Sequence, residues 1–446
     1  MSDKHIHFIT GRLAAPALAK LLSGLSPGFS YDVITMPAQV AALMTARSIA
    51  RRIPENLIGA VLIPGGCKGD MQEIRKIVSG PVSRGPVDLN DLPRHFGVKQ
   101  GKIKYAKPHL QIIAEIVDAP TLSIPQIVKR AKRYRKDGAD WIDLGCVNDT
   151  PFGHLKETVE ELRRLKFNVS VDSFNPEELI AASRGGARLF LSIYSGNISA
   201  AGKLKGKVVV IPDPGKGARS LYENVRGLKK MRVPFIMDPI LAPLTMGAAR
   251  SFSRYALLRR KFPKAEIMMG VGNLLELTCA DNIGMSAILG GICAELKIDY
   301  ALTTEVAGWN RDSVRQLVIA RQIMEHAVSG GILPKGYDDR LLVAREAGRL
   351  NFTARQLKAM SEKIKDKNFR IFVTEGFIHI FNKDIYIKTK SAQDIFDRLK
   401  VDDPPHAFYL GKELAKAETA LDLGKTYRQE GALDWGYLTK RTKKAR

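Results

Sequence analysis

A chain of 446 residues, 45% hydrophobic and 26% charged, is too long for one ordinary domain and has a globular rather than a disordered composition. Cys67, Cys146, Cys279 and Cys293 stand apart with no Cys-x-x-Cys pair, so neither a zinc site nor a disulfide framework is suggested, and reduced thiols are expected. No run approaches about 18 apolar residues, and Arg12 and Lys20 interrupt the one stretch resembling a leader, so a soluble cytoplasmic protein without membrane contact is expected.

From the N-terminus, apolar runs at His5–Thr10, Tyr31–Met36 and Leu57–Pro64 each precede a helical or loop stretch, which predicts a small α/β domain over residues 1–107. The third run enters Gly65-Gly66-Cys67-Lys68-Gly69-Asp70. Such a loop suits a tight turn or a phosphate cradle, and its spacing matches neither GxGxxG nor the P-loop, which favours the turn.

Residues 108–335 carry eight further runs at strand-plus-helix spacing: Leu110–Val117, Trp141–Leu144, Asn168–Ser173, Arg188–Ile193, Lys207–Ile211, Pro234–Asp238, Ala265–Gly270 and Asp299–Thr304. Helical stretches lie between them, among them Pro125–Lys136, Leu155–Leu165, Glu177–Ser183 and Ser220–Lys230, and a last one, Asp312–Ala327, ends near Gly330-Gly331. Eight such units predict an α/β fold of the (βα)8 TIM-barrel type. In residues 336–446, helices are expected at Asp339–Leu350 and Thr353–Lys365, strands at Phe369–Thr374, Phe377–Phe381 and Ile385–Lys388, and one long helix at His406–Gln429, forming an α+β appendage.

Asp143, Asp172, Asp238 and Asn273 fall at the ends of barrel runs, the mouth where such barrels keep their active sites. Ionised carboxylates only accept hydrogen bonds, so this set suits a small heterocycle rich in N–H donors. The net charge of +24 is spread over helices such as Lys129–Lys136 and a terminal cluster from Lys440 to Arg446. That distribution fits solvated faces first, phosphorylated substrates second, and nucleic acid least, since no recognition motif accompanies it.

Four runs carry a family resemblance: Gly138–Gly145 (GADWIDLG), Val169–Ser173 (VSVDS), Met237–Pro243 (MDPILAP) and Gly270–Asn273 (GVGN). In order and position they resemble the pterin-binding family, which contains dihydropteroate synthase and the methyltetrahydrofolate:corrinoid methyltransferases. The whole chain looks most similar to the dihydropteroate synthase-like proteins associated with tetrahydromethanopterin. The resemblance implies that Asp238 accepts the N3–H and 2-amino fork of a pterin, and that Asp172 and Asn273 meet the remaining ring atoms. The resemblance places Asp143 below the site, where a structural role competes with a functional one.

Departures from the family pattern narrow the expectation. Ser192 stands where synthases carry the strand-four Asn, Leu274 where they carry a Lys, and Val117 beside Asp118 where strand one carries an Asn; Gly145–Pro151 replaces the usual loop after strand two. A standard folate enzyme is therefore not expected. The reading is a transferase of one-carbon metabolism, joining a 6-hydroxymethyl-dihydropterin diphosphate to a phosphorylated arylamine in tetrahydromethanopterin biosynthesis. Asp172 and Asp238 would be catalytic. Lys216 and Arg219, in Pro212–Arg219 (PDPGKGAR), would hold the leaving diphosphate, or simply lie in a solvated loop. No tightly bound cofactor or protein metal site is expected, Mg2+ entering only with a diphosphate; a homodimer is compatible. Methyl transfer from a reduced pterin to a separate corrinoid carrier, or pterin binding without catalysis, are the alternatives.

Overall fold

The structure is a computed structural model that describes residues 5–25, 29–87, 89–96, 105–147, 149–346, 352–399 and 401–439. The chain divides into two compact units, Met1–Lys104 with Ile332–Asp338, and Tyr105–Gly331 with Asp339–Arg446.

In the first unit, β1 (His5–Gly11), β2 (Ser30–Met36), β3 (Ala60–Ile63) and β4 (Val82–Arg84) form a parallel sheet in the order β2-β1-β3-β4. The short β4 was not foreseen in the sequence. Its exit explains the Gly65 turn: a Cβ on Gly65 would meet the Gly85 carbonyl oxygen at 2.5 Å. Arg84 ties the rest of the loop down by donating to the carbonyls of Cys67 at 3.0 Å and Gly69 at 2.6 Å.

The second unit holds eight parallel strands, β5 (Gln111–Ile116), β6 (Trp141–Gly145), β7 (Val169–Asp172), β8 (Leu189–Ile193), β9 (Lys207–Val210), β10 (Phe235–Met237), β11 (Met268–Gly270) and β12 (Tyr300–Thr303). They run in the order β10-β9-β8-β7-β6-β5-β12-β11. A parallel bridge between Met237 and Ile267 joins the two ends, with Met237 N donating to the Glu266 carbonyl at 2.9 Å, and this closes the barrel. All eight predicted runs form strands because each is buried on both faces. Outward residues such as Ile112, Ala114, Ile142, Leu144, Val171, Phe190 and Val208 pack under the helices. Inward residues Ile113, Leu189, Leu191, Val209, Ile236, Met268 and Tyr300 fill the barrel's lower interior with a separate apolar plug.

Helix ends follow their chemistry. Ile124–Asp137 starts in a Ser123/Gln126 capping box and stops at Gly138 with φ 103°. Ser313–Gly330 stops at Gly331 with φ 61°.

The segment after the barrel is an antiparallel sheet of β13 (Arg370–Thr374), β14 (Phe377–Phe381), β15 (Tyr386–Thr389) and β16 (Tyr427–Arg428), ordered β15-β14-β13-β16. Two expectations need correction. Residues 339–346 form turns and bends rather than a helix, and the remainder of that predicted helix, 347–350, lies outside the described residues. The long helix spans Pro404–Asp422 and does not reach Gln429: Gly424 turns left-handed at φ 64°, and the chain then pairs with β13 as β16, Tyr427 donating its hydroxyl to Glu413. Among the described residues no helix is long and apolar enough to cross a membrane.

Candidate functional site

Side chains alternate across a strand, so residues two beyond an inward apolar residue also point inward. Ile113 is followed by Glu115, Trp141 by Asp143, and Ile236 by Asp238, while Asp172 follows Ser170 on β7. Four carboxylates therefore stand above the apolar plug, at the carboxyl ends of their strands. Glu115 pairs in register with Asp143, Asp143 with Ser170, and Asp172 with Gly145. A Cβ on Gly145 would lie 2.6 Å from Glu115 Oε1, so a larger residue there would displace that carboxylate.

Burial and mutual repulsion keep these acids protonated well above the ordinary range. Burial, with Asp172 and Glu276 nearby, pushes Glu115 up to about 8. Asp143 is fully buried, and burial together with Glu115 and Asp172 raises it well above the carboxylate range. Neither Asp143 oxygen has a hydrogen-bond partner. Ser170 is the adjacent hydroxyl and would favour ionisation, yet its bond goes to the Ile142 carbonyl at 3.5 Å, a marginal contact. An unpartnered buried carboxylate is costly, so Asp143 is held protonated. Asp172 is raised by burial, against which the adjacent Ser192 hydroxyl acts.

Ser192 owes that position to a defect in β8. The ladder to β9 shifts register between Phe190 and Ile193, and Ser192 sits at φ 63°. Phe190 and Ile193 both face the helices, so the inserted residue is re-aimed. Asn197, almost fully buried, fixes the bulge by donating to the Ser192 carbonyl at 3.1 Å and accepting from Tyr194 N at 2.9 Å.

Asp238, 3% exposed, is held differently. Its Oδ1 accepts from the Tyr255 hydroxyl at 2.6 Å and from Ile240 N at 2.8 Å, leaving Oδ2 out of both bonds. Burial dominates and raises it to about 6, these two bonds and Arg254 pulling down and Asp172 pushing up. The bond from Ile240 requires a left-handed β-branched residue at φ 65°, a strained conformation that Arg254 supports by donating to the Ile240 carbonyl at 2.8 Å. Asn273 follows β11 and donates from Nδ2 to the Leu241 carbonyl at 2.8 Å, joining two mouth loops.

The remaining sequence candidates sit elsewhere. Lys216 is ion-paired at 3.3 Å with Asp213, a carboxylate that four hydrogen bonds from Asn224, Ser195 and Lys216 keep strongly ionised, and Arg219 pairs at 3.3 Å with Glu223 on its own helix. Leu274 packs into the core that surrounds the barrel. Asp118, beside Val117, turns outward to Arg130 at 2.6 Å, and the inward acid of this strand is Glu115, which the sequence reading does not single out. Asn148, in the loop replacing the synthase motif, lies outside the described residues. Glu276, also unforeseen, accepts from Thr304, Val306 N, Ala307 N and Asn310, fixing the loop after β12. Cys146 is a poor nucleophile because burial and neighbouring Glu178 push its thiol upward.

A family model described as DUF6513, a family of unknown function, matches residues 4–87, and one described as PterinBD-DUF4346 matches residues 362–430. The protein described as Uncharacterized protein MJ0107, from Methanocaldococcus jannaschii, is 32% identical over 375 residues, covering 75% of this chain and 71% of its own length. The chain belongs to that protein's family. Solved structures of dihydropteroate synthase are also similar: that of Burkholderia cenocepacia with 7,8-dihydropteroate is 16% identical at TM-score 0.40, covering 50% of this chain and 93% of its own. The Xanthomonas albilineans enzyme is 20% identical at TM-score 0.41 over the same shares. The barrel topology rests on the strand order itself, and the model described as PterinBD-DUF4346 covers the segment after the barrel, which contains none of the four runs that carry the resemblance.

Proposed function

We propose that the barrel mouth binds a reduced pterin, with Asp238 Oδ2 accepting from the 2-amino edge and Asp172 facing the pyrazine side. The observation that carries this reading is the convergence of Glu115, Asp143, Asp172 and Asp238 above one apolar plug. Asp172 and Asp238 in their ionised forms accept, and protonated Glu115 can donate, a mixed set that suits a flat heterocycle with both donors and acceptors along its edge.

The reaction we infer is condensation of a 6-hydroxymethyl-dihydropterin diphosphate with an arylamine carrying its own phosphate, in tetrahydromethanopterin formation. The C–O bond breaks with its electron pair leaving on diphosphate, the ring spreads the methylene cation, and the amine nitrogen then bonds to that carbon and loses a proton. Asp172 and Asp238, in their ionised forms, favour the cation electrostatically. Lys216 and Arg219 would receive the diphosphate only after giving up their present ion pairs. Mg2+ could accompany the diphosphate, because two phosphates need more positive charge than one loop offers.

One observation supports methyl transfer from a reduced pterin as a second reading. Glu115, protonated near neutral pH, could give its proton to the pterin nitrogen as the methyl group leaves for a separate carrier. Calorimetry with a reduced pterin, its diphosphate and a non-hydrolysable diphosphate analogue tests the shared premise. Micromolar binding of the pterin supports it, and absence of binding by all three removes both reactions. Product analysis with arylamine, or with a corrinoid acceptor, separates them.

A further inference from the structure

We propose that His5, His7 and Asp32, in the N-terminal unit, bind a divalent first-row transition ion of the Zn2+ type. His5 and His7 alternate with Ile6 and share one face of β1, and Asp32 stands opposite His7 in register on β2. His7 Nδ1 lies 2.7 Å from Asp32 Oδ1, and His5 Nε2 lies 3.8 Å from the same oxygen. One ligand atom from each of the three residues falls within 4.8 Å of the other two.

The second nitrogen of each ring is already committed. His7 Nε2 lies 3.1 Å from the Ile58 carbonyl, which can only accept, so this nitrogen carries the hydrogen. Nδ1 lies at hydrogen-bond distance from Asp32 Oδ1, and in the neutral ring with its hydrogen on Nε2 this Nδ1 is the lone pair that an ion would take. His5 Nδ1 bonds to Ser30 Oγ at 2.9 Å, and Nε2 faces the same carboxylate; with the hydroxyl accepting from Nδ1, Nε2 is the lone pair. Outer contacts that turn both imidazoles' free nitrogens toward one point are the arrangement that orients histidine ligands around a metal. A doubly protonated His7 would also satisfy Asp32, but it would leave the convergence of His5 without a purpose.

Zinc bonds nitrogen and oxygen at about 2.0–2.2 Å, so two ligands of one tetrahedral ion lie about 3.3 Å apart. The His7–Asp32 distance must open and the His5–Asp32 distance close, each by roughly half an ångström from the present values. Two imidazoles and one carboxylate select borderline ions over Mg2+ or Ca2+. His5 and Asp32 side chains are 32% and 49% exposed, so the fourth coordination position opens to solvent. The ion would tie β1 to β2 and leave a place for water or a small anion.

The test uses the full chain without a histidine tag, stripped by chelator, and titrates Zn2+ by calorimetry and Co2+ by visible absorption. The expected result is one equivalent per chain at micromolar affinity, with tetrahedral or five-coordinate cobalt bands. His5→Ala and Asp32→Asn, both at solvent-reaching side chains, should each weaken binding at least about tenfold while circular dichroism stays unchanged. Ser30→Ala should weaken it less. No saturable uptake at millimolar metal, with a folded protein, would mean an imidazolium–carboxylate pair only and overturn the proposal. Undiminished binding in both variants would do the same, placing any metal on other residues.

Discussion

The Tyr255 hydroxyl donates to Asp238 Oδ1 at 2.6 Å from a fully buried ring, and so spends one carboxylate oxygen on the protein while the other is left for a ligand. With Ile240 N on the same atom, the orientation of Asp238 is settled before any ligand arrives. Preorganisation of this kind lowers the cost of binding.

A pH profile follows from that arrangement. Asp238 titrates at about 6 in the free protein, and a donor fork requires its ionised form. Pterin affinity should therefore rise by about tenfold per unit below pH 6 and level off above it. Tyr255→Phe removes a bond that favours the anion, so the midpoint should move upward. Asp238→Asn should flatten the profile and weaken binding at least about tenfold, because an amide can place a donor against a donor. Calorimetry between pH 5 and 8 reads all three, and a parent profile with no slope near 6 counts against the Asp238 assignment.

Stability should respond to Glu115 in the opposite sense from an ordinary surface acid. Its folded value, about 8, lies above the 4.5 of a free glutamate, so between these values the folded state keeps a proton that the unfolded chain has released. Stability is then fully present below the unfolded value and falls as pH climbs through 8, by at most roughly 1.4 kcal/mol per unit. Glu115→Gln should remove much of that slope, making the variant more stable than the parent at pH 8 and similar at pH 4.5. Urea unfolding at the two pH values checks it; identical slopes would mean that Glu115 is not held protonated.

Most of the barrel was legible because an apolar run buried on both faces has few other uses, and Asp143, Asp172 and Asp238 interrupt three such runs at their ends. Glu115 is not legible by the same rule because it lies inside its run, two residues before Val117 at the run's end. The available signal was a carboxylate inside Gln111–Ile116, two positions after an inward isoleucine. The bulge at Ser192 left no mark in the sequence, since LFLSI reads as an uninterrupted strand and its register is set by Asn197 from outside. The end of the Pro404–Asp422 helix was legible in Leu423-Gly424, but the helical pattern beyond it hid a two-residue strand whose pairing is long-range.

Ser192 offers a test of strain against function. A left-handed serine costs about 1–2 kcal/mol, more than glycine's added unfolded-state entropy, so Ser192→Gly should stabilise the protein by about 0.5–1 kcal/mol. The same change deletes the hydroxyl beside Asp172 and should weaken pterin binding. Ser192→Ala should lose affinity without gaining stability. Thermal unfolding and calorimetry on the pair decide this, and a Gly variant less stable than the Ala variant would contradict it.

Leu274 bears on which arylamine the site accepts. It stands where synthases of the resembled family place a lysine, and it is 6% exposed within the apolar core around the barrel. A para-aminobenzoate carboxylate would find no cation from this position, whereas an arylamine with its own ribose phosphate could reach basic side chains outside the mouth. The gene should therefore fail to support a folate-synthase deletion strain, and purified protein should condense only the ribosylated arylamine. Leu274→Lys should not convert one activity into the other: at this position the ammonium would be buried without a partner, costing several kcal/mol of stability instead. Growth of the deletion strain on the unaltered gene, or a Leu274→Lys variant that is both stable and active on para-aminobenzoate, would restore an ordinary folate enzyme.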